Sequence, residues 1–359
     1  MDHKQLDLTY CKAAIKTAKN ISIVTHPSPD GDAMGSSLGL YHAINVMFPD
    51  QKNINVIVPN SIPEYLHFLP GTDKVKQFDI QTEECTALLK NSEIIFILDF
   101  NSIGRIGELG IIIEETLCFK IMIDHHMNPD PIADLIISDT DASSTCQMMY
   151  RFLIEMFSYM CNENLQRLSD IFAIFGCKDI VTCLYTGIVT DSGSFKFPRT
   201  NSELHEIAAD LIKCGADNVK IHADLYNNGT LDQMKLTSYI LSNKMEIVPE
   251  YNTAILSMSL AEKQSMNYRK GDTEGVVNVP LSCKEIQLSI YVSEDEEGKV
   301  RMSFRSKGVK IAANIMAKEI SLGKGGGHFN AAGASSDMNL QDTIEHIKRS
   351  LENYKDMFS

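Results

Sequence analysis

Short apolar runs in the first half of this chain end, one after another, on aspartate or histidine, and that pattern constrains the fold more than any other feature. Residues 21–25 lead into His26-Pro-Ser-Pro-Asp30-Gly-Asp32, residues 94–98 into Asp99, residues 119–123 into Asp124-His125-His126, and residues 185–190 into Asp191. The first three runs, with 54–58, have the length and β-branched content of strands. Helical patterning covers 34–47, 82–90 and 144–156 between them. Strands alternating with helices predict an α/β fold with a parallel sheet and flanking helices. Polar groups at the carboxyl ends of such strands line one crevice.

A chain of 359 residues is long for one core and comfortable for two. A helix is expected over 201–213, stopped at Gly215. The stretch 216–236, which contains Asn227-Asn228-Gly229, reads as a linker. Beyond it, strands are expected at 253–258, 286–292 and 300–304, and helices at 311–319 and 340–354. The expected organisation is a catalytic α/β domain over 1–215 and a smaller α+β domain over 237–359, across a cleft.

Charge and cysteine usage narrow the function classes. A net charge of −14 argues against long duplex nucleic acid, which needs a broad basic surface. No apolar run approaches a membrane span, and residues 1–19 lack a signal-peptide core, so no membrane partner is expected. The nine cysteines include no Cys-x-x-Cys pair, which points to a reducing, cytoplasmic setting with cysteines as small core residues.

The acidic and histidine clusters together supply ligands for two adjacent divalent cations. Carboxylates suit Mn²⁺ and Mg²⁺, and imidazoles shift the preference toward Mn²⁺. In His26-x-x-x-Asp30-x-Asp32 a loop entered through Pro27 and Pro29 holds three donors before a helix that starts near Ala33. That helix N-terminus, with Gly35-Ser36-Ser37, is expected to favour phosphate approach. Two ions about 3.5 to 4 Å apart can orient a water and neutralise a phosphoryl group. Asp99, alone at its strand end, is the candidate bridge.

These clusters, with Thr190-Asp191-Ser192-Gly193 and Gly325-Gly326-Gly327-His328-Phe-Asn-Ala-Ala-Gly333, resemble the DHH phosphoesterases over nearly the whole chain, in the standalone NrnA-type branch with a DHH-associated domain. The resemblance implies His26, Asp30 and Asp99 around one metal, and Asp32, Asp99, His125 and Asp191 around the other. It implies Asp124 as an orienting carboxylate, and His126 facing the scissile phosphate as the catalytic imidazole. In the second domain it implies a substrate grip from Gly325, Gly326, Gly327, His328 and Arg305, while Arg105 keeps the family's Arg-x-Gly element. Two departures stand out: Ser192 replaces the more usual threonine, and Phe100-Asn101 follows Asp99 where smaller or hydroxylated residues are common.

The function so implied is two-metal hydrolysis of short oligoribonucleotides and 3′-phosphoadenosine 5′-phosphate, with a homodimer an admissible assembly. The alternatives are a cyclic or linear dinucleotide phosphodiesterase, a pyrophosphatase disfavoured by the glycine-rich segment, a RecJ-like exonuclease short of its extra domain, and a nucleotide-binding regulator with a dead site. The hydroxyls of Asp141-Ala-Ser-Ser-Thr145 are expected to cap a helix, His222 to be structural, and Glu294 to Glu297 to form a solvated tip.

Overall fold

Six strands pair side by side in the first half of the chain, all parallel: β1 (Asn20–Val24), β2 (Asn53–Val58), β3 (Lys76–Gln77), β4 (Ile94–Leu98), β5 (Phe119–Asp124) and β6 (Leu135–Ser138). The computed structural model describes residues 3–49, 52–176, 178–269 and 271–358, and divides into two units, Met1–Asn228 and Gly229–Ser359. In the first unit the strand order is β3-β2-β1-β4-β5-β6, which reverses direction between β1 and β4. A parallel sheet is covered on both faces, so its strands are apolar on both. In β4, for example, Ile94, Phe96 and Leu98 join one core while Ile95 and Ile97 join the other. At the reversal the loops leaving β1 and β4 diverge to opposite sides, which opens a crevice at their carboxyl ends.

Helix Gly31–Met47 packs on one face of this sheet, and helix Lys178–Asp191 packs against it at close range. Gly31, Gly35 and Gly39 recur every four residues, and so share one side of their helix. A Cβ at Gly35 would lie 2.5 Å from the carbonyl oxygen of Cys183, and one at Gly187 would lie 2.2 Å from Cys146 Sγ. The expectation that Gly35, Ser36 and Ser37 serve phosphate approach is therefore corrected. All three are buried inside the helix pair, and Gly35 is there for backbone-to-helix contact. The helix also starts earlier than expected, at Gly31, because Asp30 caps it.

The second unit is a six-stranded mixed sheet, β7 (Met245–Val248), β8 (Thr253–Met258), β9 (Leu288–Glu294), β10 (Val300–Ser306), β11 (Gly325–His328) and β12 (Ala331–Ser336), in the order β11-β12-β10-β9-β8-β7. Only β8 and β9 run parallel. Helices Ala313–Ile320 and Leu340–Ser350 give Met316 and Ile347 to a core with Ile290, Val292, Met302 and Phe304. The stretch 216–236 is more ordered than a linker: it holds the helix Asn218–Tyr226 and the first turns of Leu231–Asn243, and the units part after Asn228. Among the described residues no helix is long and apolar enough to cross a membrane.

Candidate metal centre

The crevice at the β1/β4 reversal gathers the acidic and histidine residues of the first unit. His26 and Asp30 follow β1, and Asp32 lies in the first turn of Gly31–Met47. Asp99 follows β4, Asp124 ends β5 with His125 and His126 next, and Asp191 ends its helix. Among the overlapping donor groups that result, one joins His126 to Asp99 and His125, and two others match the ligand sets expected above. In the first of these two sets, His26 Nε2 is 3.8 Å from Asp30 Oδ1 and 3.4 Å from Asp99 Oδ2. In the second, His125 Nε2 is 3.3 Å from Asp191 Oδ2, 3.6 Å from Asp99 Oδ1 and 4.0 Å from Asp32 Oδ2. Donors bound to one cation at roughly 2.0 to 2.6 Å stand at separations of this size from each other. Asp99 takes part in both groups, through different oxygens.

The backbone aims that carboxylate. Asp99 has φ of 63°, a left-handed conformation that aspartate tolerates better than most residues. Its amide donates to Ile123 O at 3.2 Å, so the turn is tied to β5 as it leaves the sheet. Strain held in place this way is typical of functional positions.

Each imidazole has an orienting partner. His26 Nδ1 is 3.0 Å from Pro27 O, and His125 Nδ1 is 3.4 Å from Ala142 O, which turns both Nε2 atoms toward the carboxylates. Asp124, fully buried, holds His126 rather than His125. It accepts from His126 Nδ1 at 2.7 Å and from the His126 amide at 3.0 Å. Two residues given no site role from sequence also reach the centre. The amides of Thr145 and Cys146 donate to Asp32 at 2.6 and 2.8 Å, and Thr145 Oγ1 donates to Asp99 Oδ1 at 3.0 Å. Ser144 caps that helix as expected, by accepting from Gln147 N. A hydroxyl beside an already occupied cap position was the only sign of Thr145's role.

The electrostatics call for a cation. Burial, reinforced by the charges of Asp99 and Asp30 and, at Asp32, also by that of Asp191, drives the carboxyls of Asp32 and Asp191 well above the usual range. Burial pushes Asp99 the same way, but the hydrogen bond and charge of His26 outweigh it and hold that carboxyl low. Burial alone would lower His26, yet Asp99 and Asp30 raise it to about 9. Several carboxylates desolvated together cannot all stay ionised without compensating positive charge. Two imidazoles, each with its far nitrogen beside a backbone carbonyl, and four carboxylates suit hard divalent ions.

Of the other expected site residues, Arg105 belongs to the first unit and the rest to the second. Arg105 sits in the short helix Ile103–Ile106 after β4, exposed and without an ion pair to any described residue. Arg305 is half-buried on β10, where burial lowers its guanidinium, and its Nη1 donates to Phe304 O at 2.9 Å. Gly325, Gly326 and Gly327 form the edge strand β11, not a turn. A Cβ at Gly325 would meet Ala317 O at 2.5 Å, and Gly327, at φ of 143°, would meet Ala331 O at 2.5 Å. Packing within the unit thus accounts for those two glycines, while Gly326 faces open space. The His328 side chain lies outside the described residues.

The chain also has relatives among known proteins. The DHH family N-terminal domain matches residues 20–188, and the DHHA1 domain matches residues 253–353. A Streptococcus mutans protein described as a "probable bifunctional oligoribonuclease and PAP phosphatase NrnA" is 30% identical over 327 residues, which span 90% of this chain and 92% of that one. The chain belongs to the DHH family. A second relative, the bifunctional oligoribonuclease and PAP phosphatase NrnA of Thermus thermophilus, is 29% identical over 328 residues, 91% of this chain and 87% of its own. The crystal structure of an exopolyphosphatase-related protein from Bacteroides fragilis superposes with a TM-score of 0.89 at 35% identity, covering 99% of this chain and 98% of that one. The DHH tripeptide is Asp124-His125-His126 here, and the DHHA1 match falls wholly within the second unit.

Proposed function

We propose that this protein is a phosphoesterase that uses two Mn²⁺ ions to hydrolyse short oligoribonucleotides and 3′-phosphoadenosine 5′-phosphate to nucleoside monophosphates. One observation carries the reading: Asp99 faces His26 through Oδ2 and His125 through Oδ1, so a single carboxylate belongs to both ligand sets. His26, Asp30 and Asp99 form one set, and Asp32, Asp99, His125 and Asp191 the other. Mg²⁺ fits the carboxylates, but the two imidazoles favour Mn²⁺. Bound ions of this kind lower the pKa of water and offset charge on a phosphoryl group.

The chain's own groups do the rest. Asp124 fixes the orientation of His126, with the ring's Nδ1 turned toward the buried carboxylate. His126 then offers the proton on its other nitrogen to the departing ribose oxygen. Arg305 binds a terminal phosphate by its planar fork, and Gly326 admits a phosphate or sugar close to the backbone. His328 completes that grip, with Gly325 and Gly327 holding the strand that carries it, and Arg105 offers a further cationic contact. The names of the relatives at 29% and 30% identity support this substrate class over the alternatives.

The test is a time course on 5′-labelled di- to pentaribonucleotides, 3′-phosphoadenosine 5′-phosphate, a cyclic dinucleotide, its linear product and pyrophosphate, with Mn²⁺ and with chelator. Turnover of the short RNAs and of 3′-phosphoadenosine 5′-phosphate, lost on chelation, is expected. Preference for the cyclic dinucleotide or pyrophosphate would replace the substrate assignment, and binding with no turnover would reject an enzyme.

A further inference from the structure

We propose that Thr145 is the positioning residue that holds Asp99 in the orientation able to serve both metal ions. Its role rests on the reading of Asp99 as the shared ligand. Thr145 is fully buried, and helix capping does not explain its hydroxyl, because Ser144 Oγ already accepts from Gln147 N at 3.0 Å. The hydroxyl instead donates to Asp99 Oδ1 at 3.0 Å, while the Thr145 amide donates to Asp32 Oδ2. One residue therefore ties together two carboxylates that arrive from different elements, a helix and the end of β4, and both belong to the second ligand set.

A shared carboxylate must keep its two oxygens pointed at different ions, and rotation about its terminal bond would undo that. Such a bond is only softly restrained by its own torsional preference. A donor fixed on one oxygen supplies the restraint, and still leaves that oxygen a lone pair for a cation. Threonine suits the task because its β-branch limits rotation of the hydroxyl within a helix. Pro27 O, Ala142 O and Asp124 do the equivalent work for the three imidazoles. Thr145 does it for the bridge.

The test compares Thr145→Val, which keeps the shape and the amide but loses the hydroxyl, with Thr145→Ser, which keeps the hydroxyl. Mn²⁺ binding is measured by calorimetry, and the coupling between ions by electron paramagnetic resonance. The valine variant is expected to bind its weaker ion about 10- to 100-fold less tightly, as for other lost partners of metal ligands, and to lose the coupled signal. The serine variant is expected to retain both. Thermal unfolding of the chelated proteins should shift far less than ion affinity, which separates positioning from a general structural role. Should the valine variant not fold, Thr145→Ala against Thr145→Ser makes the same comparison. Two ions bound by the hydroxyl-free variant at wild-type affinity and coupling would overturn the proposal. Asp99→Asn, measured alongside, tests the parent reading: if it too keeps both ions, the shared-ligand assignment fails, and not Thr145 alone.

Discussion

Asp99 concentrates the chemistry of the centre: a left-handed backbone, almost complete burial, and imidazoles on both oxygens. Replacing it by asparagine removes the charge without changing the shape, and is expected to lower kcat by roughly 10²- to 10³-fold, the scale of losing one preorganised charge. Steady-state rates with a saturating Mn²⁺ series check this. Asp191→Ala should abolish turnover, and retained activity would reject Asp191 as a ligand. His26 makes a pH prediction. Its imidazole is raised from 6.5 to about 9 by Asp99 and Asp30 against the opposing effect of burial, so in chelated protein the charged form contributes stability that is complete below pH 6.5 and lost as the pH rises through about 9. An ion needs the neutral ring. Binding below about pH 9 therefore releases a proton, and affinity rises with pH up to that point. Asp32 and Asp191 also shed protons on ligation, so calorimetry in buffers of different ionisation enthalpy compares the release with that of His26→Ala, and an unchanged release would remove His26 from the ligands.

At the level of elements, the centre depends on how closely two helices meet. Gly187→Ala would press a methyl group onto Cys146 Sγ and Asp32, and is expected to cost about 1–3 kcal/mol of stability and to weaken ion binding with it. Chemical denaturation with and without Mn²⁺ measures both effects. The ligand-bearing elements could be read from sequence because β1, β4 and β5 are largely apolar and β-branched and each leads into a donor. Helix Gly31–Met47 was also visible, but its glycines suggested phosphate, since sequence alone does not show that Cys183 O passes within contact distance. β3 has two residues and β6 four, too short for a periodic signal. β11 and β12 are built from glycine and alanine, which have little strand preference and are held by pairing with β10. Asp124 was expected to orient a ligating imidazole, and the fold gives it His126, because the turn after β5 points the two adjacent rings in different directions.

Across the whole molecule, each unit has a core of its own. Cation binding should therefore stabilise them unequally. Hydrogen exchange is expected to slow on adding Mn²⁺ in the segments around Asp32, Asp99, His125, Thr145 and Asp191, with the amides of 253–353 unchanged; equal protection in both units would contradict a centre confined to the first. Arg305→Ala should raise KM for 3′-phosphoadenosine 5′-phosphate about tenfold with a smaller change in kcat, as expected for a group that holds substrate in ground and transition states alike. The division into two units could be anticipated from length, but the boundary was harder to see: Asn227-Asn228-Gly229 carries the turn signal, while the helices on either side of it look too polar to announce themselves.

The most direct measurement is anomalous diffraction at the manganese edge from crystals of the Mn²⁺-loaded protein. Two peaks about 3.5 to 4 Å apart with Asp99 between them are the predicted result. A single peak, or peaks away from His26, Asp99 and His125, would contradict a paired-cation centre in this chain.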